Sequence, residues 1–267
     1  MTVTIILIYL GVGAIAGVLA GLLGVGGGLV IVPMLVYCFT RQGLPNEHIM
    51  HIALGTSMAS IIFTSVSSFL AHHKKGAVNW TVVKRISAGI VLGTFAGTWL
   101  AAGLSTAFLK GFFVIFLYYV ATQMVLGKKP PASRDLPGPA GMFTAGGTIG
   151  VISSLVGIGG GSLSVPFMVW CNLPVHTAIG TSAAIGFPIA VAGCIGYLVN
   201  GLQAVSLPPF SVGFIYIPAL MGIVLASVVT ASLGVTLAHS LPVPRLKRIF
   251  ALLLFLVATK MAWGLIG

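Results

Sequence analysis

The chain has 267 residues, of which 58% are hydrophobic and only 6% charged, with 36 glycines. That balance excludes a soluble globular domain, where about a quarter of residues carry charge. The formal charge of +11 comes from 13 Lys and Arg against two acids, Glu47 and Asp135; the basic residues are scattered over short connections and form no patch, which points to membrane orientation and away from nucleic acid.

The first apolar run reaches from Thr4 to Phe39 and contains GLLGVGGGLVIVP at 21–33. An unbroken helix through those glycines and Pro33 would give up about 7 kcal/mol against alanine. The run reads instead as a hairpin over 3–38, two half-helices meeting at a glycine tip within the membrane. No basic stretch precedes it, which argues against a cleaved signal peptide. Stretches of spanning length follow at 51–71, 82–102 and 106–126. KKPPASRDLPGP at 128–139 is a polar, proline-rich linker. Beyond it come a second hairpin at 141–171 and spans at 178–199, 213–238 and 249–266, with a kink expected at Pro188. Cys38, Cys171 and Cys194 sit in apolar surroundings without C-x-x-C spacing and read as buried filler.

The halves repeat each other. Residues 13–38 laid over 146–171 give 12 identities in 26, pairing Gly24 with Gly157, Gly26 with Gly159, Gly27 with Gly160, Gly28 with Gly161 and Pro33 with Pro166. HIALGTS at 51–57 matches HTAIGTS at 176–182 at five of seven positions, and KGFFVIFLYYVA at 110–121 lies over KRIFALLLFLVA at 247–258. Their relative orientation follows from Lys and Arg, which favour the cytoplasmic side. Inverted halves place Lys74, Lys75, Lys84, Arg85, Lys128, Lys129, Arg134, Arg245, Lys247 and Arg248 inside and only Arg41, Lys110 and Lys260 outside. Eight plain crossings would divide them more evenly. The predicted fold is therefore an all-α polytopic membrane protein of two inverted repeats, 1–127 and 140–267, each a glycine-broken helical hairpin plus three transmembrane helices. The linker is cytoplasmic and both termini lie outside.

Broken backbone at membrane depth is tolerated only where it is buried in protein or lines a wet cavity. A helix restarting after the glycines points free N–H groups and a positive dipole end at that place, which suits an anion. The same glycines would also permit close helix packing. Substitution by alanine separates the two uses: at an anion tip it weakens binding while apo stability holds, whereas in a packing contact the order reverses. The Thr56–Ser57 and Thr181–Ser182 pairs offer hydroxyls nearby, and Ser57, Ser60, Thr64 and Ser68 continue as a stripe that could equally bond its own helix. By the repeat, Ser60, Thr64 and Ser67 correspond to Ile185, Ile189 and Ala192, so substrate contact is expected to be lopsided.

His51 and His176 start matching helices and are read either as interface residues or as proton carriers. Lys260 is a basic residue well inside an apolar stretch, read as snorkelling or as a counter-charge for substrate. No Asp or Glu lies in any predicted span, which disfavours carboxylate proton relays and cation sites. Ser57 with His51 is a poor nucleophile pair, because six helical residues set them about 240° apart. Gly24-x-Gly26 follows no strand and no acid lies downstream at the dinucleotide spacing.

The two G-x-G-G-G-x-x-x-x-P segments with their downstream G-T-S pairs resemble the sulfite exporter TauE/SafE family of prokaryotic membrane transporters, over essentially the whole chain. The resemblance implies a multi-pass protein of the cytoplasmic membrane that moves small organosulfur anions such as sulfite or sulfoacetate, usually outward. It places the substrate at Gly26, Gly27, Gly28, Thr56 and Ser57 and at Gly159, Gly160, Gly161, Thr181 and Ser182. The expected activity is secondary transport by alternating access, with a passive anion channel on the same scaffold as the alternative. No enzyme activity, cofactor or metal is expected, the partners are the anion and the bilayer, and a homodimer is left open.

Overall fold

The computed structural model describes residues 3–24, 26–126, 134–240 and 243–266; Val25 and the expected linker's 128–133 lie outside them. The first half contains helices α1 (Val3–Leu23), α2 (Gly28–Arg41), α3 (Ile49–Lys74), α4 (Trp80–Ala102) and α5 (Thr106–Leu126). The second contains α6 (Pro139–Val156), α7 (Gly161–Trp170), α8 (Val175–Gly201), α9 (Ile217–Ser240) and α10 (Val243–Ile266). One order of lengths, a long helix, a short one and three long ones, thus occurs twice. Eight of these helices are long and apolar enough to cross a membrane; α2 and α7 are the short ones.

Two expectations change. The hairpin arms are not two halves, because α1 has 21 residues and α6 has 18, each of spanning length, against 14 and 10 in α2 and α7. In the first hairpin the arms are level from the tip up to Tyr9, whose hydroxyl accepts from Gln42, and α1 then runs on past that bond. The all-α reading also missed a ribbon, β1 (Ser211–Val212) with β2 (Ile215–Tyr216), placed where a span was expected to begin at 213. α8 continues through Pro188.

α3 is buried along most of its length and, with α8, forms the centre of the bundle. The two run antiparallel: Gly55 lies by Tyr197, Met58 by Gly193 and Ser65 by Gly186. α5 and α10 are also antiparallel, with Lys110 bonded to Gly264 and Tyr118 to Thr259. The outer pairs are parallel. Gly13, Gly17 and Gly21 of α1 lie on the backbone of Ile223, Ser227 and Ala231 of α9, while Gly89, Gly93 and Gly97 of α4 lie on Phe143, Gly147 and Val151 of α6. Exchanging the halves turns the first outer pair into the second. A β-carbon at these glycines would fall well inside van der Waals contact of an atom of the neighbouring helix, so the four-residue spacing brings backbones together where lipid offers no hydrophobic drive.

Candidate functional site

Both glycine tips sit at the centre of the bundle. Gly26 faces Gly159 and Ile61, halfway along α3, Gly28 lies on the Gly157 carbonyl, and Gly160 lies beside Ile189, halfway along α8. The break falls in the glycines, with Pro33 and Pro166 inside the returning helices. Gly27 and Gly160 precede α2 and α7 in the left-handed region, each with φ 77°, a conformation in which a β-carbon is strained. There is little room besides. A β-carbon at Gly27 would fall 2.7 Å from the Ala16 carbonyl oxygen, and one at Gly160 would fall 2.5 Å from Ile189 Cδ1. This overturns the expectation that alanine at an anion tip leaves apo stability intact.

Each tip joins the carbonyl end of one helix to the N–H end of the next, and the protein treats the two ends differently. Ser57 Oγ donates to the Gly157 carbonyl at 2.8 Å, and its repeat partner Ser182 donates to the Gly24 carbonyl at 3.0 Å. Ser164 Oγ donates in turn to Ser182 Oγ. On the other side, the first backbone donations are from Val30 and Ile31 to the Gly27 carbonyl and from Leu163 and Ser164 to the Gly160 carbonyl. The N–H groups of Gly28, Leu29, Gly161 and Ser162 come before these, where a helix has no internal acceptor. Among the described residues, the Gly157 and Gly24 carbonyls thus have serine donors, while the N–H groups that open α2 and α7 have no acceptor within their own helices.

The G-T-S motif explains the matching. In each half the glycine lets the backbone leading into the other half's long helix pass close by: Gly55 lies on the Phe214 carbonyl, Gly180 on that of Ala77. The threonine accepts an N–H from the same backbone, Thr56 from Tyr216 and Thr181 from Asn79, both at 2.9 Å. The serine reaches the opposite tip. Hydroxyls expected to face substrate are thus used in this structure to tie the halves together.

Other buried hydroxyls remain. Among the described residues the Oγ atoms of Ser153, Ser162 and Ser68 have no partner, and the Ser153 Oγ lies 3.3 Å from where a Gly160 β-carbon would be. Ser68 lines a cleft with Ala20, Gly24, Gly26, Ser65, Ala183 and Gly186 that is too narrow for water. The stripe between is satisfied within the protein: Ser60 donates to the Ser57 carbonyl, and Thr64 bonds the Ser60 carbonyl on its own helix and Ser227 on α9.

The remaining predicted residues lie away from the tips and are not equivalent. His51 is buried, and its Nε2–H donates to the Ala101 carbonyl at 3.0 Å, whereas His176 is exposed at the start of α8. Lys260 is exposed, with its ammonium 4.2 Å from the centre of the Tyr37 ring. Sequence reasoning missed a vestibule of about 920 Å³ at the end of the bundle where α3 and α5 begin, lined by His51, Lys110 and Phe214 among others. Its signal was weak, since the lining comes from both halves and from the unforeseen ribbon.

The sequence profile of the sulfite exporter TauE/SafE family matches residues 9–261. A "Probable membrane transporter protein" of Haemophilus influenzae is 40% identical over 97% of this chain and 98% of its own. Proteins described in the same words from Methanocaldococcus jannaschii and Bacillus subtilis are 28% and 30% identical, over 84% and 77% of this chain and 83% of each of theirs. No solved structure matches. With its duplicated glycine tips and a match of this extent, the chain belongs to the sulfite exporter TauE/SafE family of membrane transporters.

Proposed function

We propose that the protein is a secondary transporter that carries a small sulfur-containing oxyanion, sulfite, sulfoacetate or a similar organosulfonate, outward across the cytoplasmic membrane. The observation that carries this reading is the sorting of polar groups at the tips: the Gly157 and Gly24 carbonyls are bonded by Ser57 and Ser182, while the N–H groups starting α2 and α7 have no acceptor within their own helices. Two positive helix ends converging in a low-dielectric centre, with no acid in the spans, favour a negative ligand. Gly26, Gly27, Gly28, Gly159, Gly160 and Gly161 are the proposed contacts, with Ser153 and Ser162 as hydroxyl donors, while Ser57 and Ser182 hold the tips in place and Thr56 and Thr181 hold the backbone entering α9 and α4.

Inverted repeats supply the mechanism. Antiparallel α3/α8 and α5/α10 together with parallel α1/α9 and α4/α6 support a two-fold axis lying across the helices, as alternating access between mirrored states needs. The cleft at the tips is closed to water, as the occluded state of a carrier requires. The test is flux into vesicles containing the purified protein, with sulfite, sulfoacetate, taurine, sulfate and chloride. Saturable flux of sulfite or an organosulfonate, with counter-flow, is expected; chloride currents without saturation would overturn it.

A further inference from the structure

The vestibule is separate from the tips, because His51 on its floor is ten residues, about 15 Å of helix, from Ile61. Four titratable groups line it: Glu47 and His48 before α3, His51 in its first turn, and Lys110 on α5. Among the described residues, the parts of α2, α4, α10 and the ribbon that face it bring none. Among the described residues, Lys110 Nζ donates to the Gly264 carbonyl at 2.6 Å, which uses one of its three donors. His51 is 4% exposed. The Ala101 carbonyl can only accept, so it fixes the proton on Nε2; Nδ1 is buried without a hydrogen-bond partner among the described residues, and the Leu104 backbone also lies beside the ring. Phe214 covers both imidazoles, its ring centre 5.0 Å from that of His51 and 5.5 Å from that of His48.

A neutral His51 therefore presents a bare lone pair, and only a proton taken from water onto Nδ1 turns it into a donor and a charge. Burying that charge is costly unless an anion accompanies it. We propose that the vestibule is a second binding site for a small oxyanion, an access site outside the central tips, where Lys110 supplies standing charge and His51 takes up a proton as the anion binds. The inference rests on the transporter reading for its purpose, since such a site would gather the anion at the mouth of the path and tie its occupancy to pH. Glu47 opposes it by like charge.

The test uses the whole protein in detergent micelles, labelled with ¹⁵N-histidine, and methanesulfonate, a probe that keeps one negative charge across the range. Linkage requires an anion that prefers protonated His51 to raise its titration midpoint; a rise of about one pH unit, a tenfold coupling, is expected at saturation. The resonance is assigned by its loss in His51→Gln, which keeps an N–H for Ala101. Lys110→Met is expected to halve the rise or more, and Glu47→Gln to enlarge it. A midpoint that methanesulfonate does not move, or moves equally in Lys110→Met, overturns the access site. Sulfite flux in vesicles distinguishes the two readings: flux with an unmoved midpoint overturns only the vestibule site, whereas a moved midpoint without oxyanion flux keeps the site and overturns transport.

Discussion

Ser57 on α3 of the first half hydrogen-bonds the Gly157 carbonyl at the tip of the second half, 100 residues away, and Ser182 returns the same bond to Gly24. Each bond satisfies the carbonyl of the glycine that directly follows a helix ending inside the bundle. Ser57→Ala or Ser182→Ala leaves that carbonyl unmatched, and each is expected to cost about 1–2 kcal/mol of stability, lowering the melting temperature in detergent. Sulfite affinity per folded molecule is expected to change little. Lost affinity at unchanged stability would return these hydroxyls to the substrate.

The helices, their order and the position of both breaks were legible in the sequence, because apolar length and glycine are local signals. The role of G-T-S was not. Nothing in HIALGTS tells that Gly55, Thr56 and Ser57 each face a different segment of the opposite half, since that depends on how α3 crosses α8. The inequivalence of His51 and His176 was hidden for the same reason: the repeat gives them one position, while tertiary packing buries one and exposes the other. The stripes Gly13, Gly17, Gly21 and Gly89, Gly93, Gly97 were readable from their four-residue spacing, but the tips drew the reading to other glycines.

The orientation of the halves can be read by labelling. With Cys38, Cys171 and Cys194 replaced by Ser, single cysteines at Lys75 and Lys247 are expected to react with an impermeant maleimide only from the cytoplasmic side, and one at Gln203 only from outside. Opposite sides for Lys75 and Lys247 would rule out inverted halves.

If transport is coupled to protons, the two histidines are expected to differ in it. His51→Gln keeps the Ala101 bond and removes the titrating nitrogen, so sulfite flux measured from about pH 5.5 to 8 should lose its pH dependence. His176→Asn should leave the profile as it was. A proton-coupled flux whose profile survives the double substitution would assign the coupling elsewhere.

The glycine tips give the sharpest test, because Gly27 and Gly160 share a backbone conformation and differ in what a methyl group would meet. At Gly27 the added carbon strikes the Ala16 carbonyl, part of a helix backbone that cannot step aside, so Gly27→Ala is expected to destabilise the apo protein by about 2–3 kcal/mol. At Gly160 it strikes Ile189 Cδ1, the end of a flexible side chain, which leaves mainly the left-handed strain of about 1–2 kcal/mol. Gly160→Ala should therefore fold, and its stability should recover in part when Ile189→Val deletes the clashing methyl, a coupling that a double-mutant cycle measures. Affinity should behave otherwise. If the N–H groups of Gly161 and Ser162 and the Ser153 hydroxyl hold the anion, the new methyl group still stands among them in the double variant, and sulfite binding should stay weaker by about 1–3 kcal/mol. Affinity restored together with stability would make the glycines packing residues only, and would sink the anion tip.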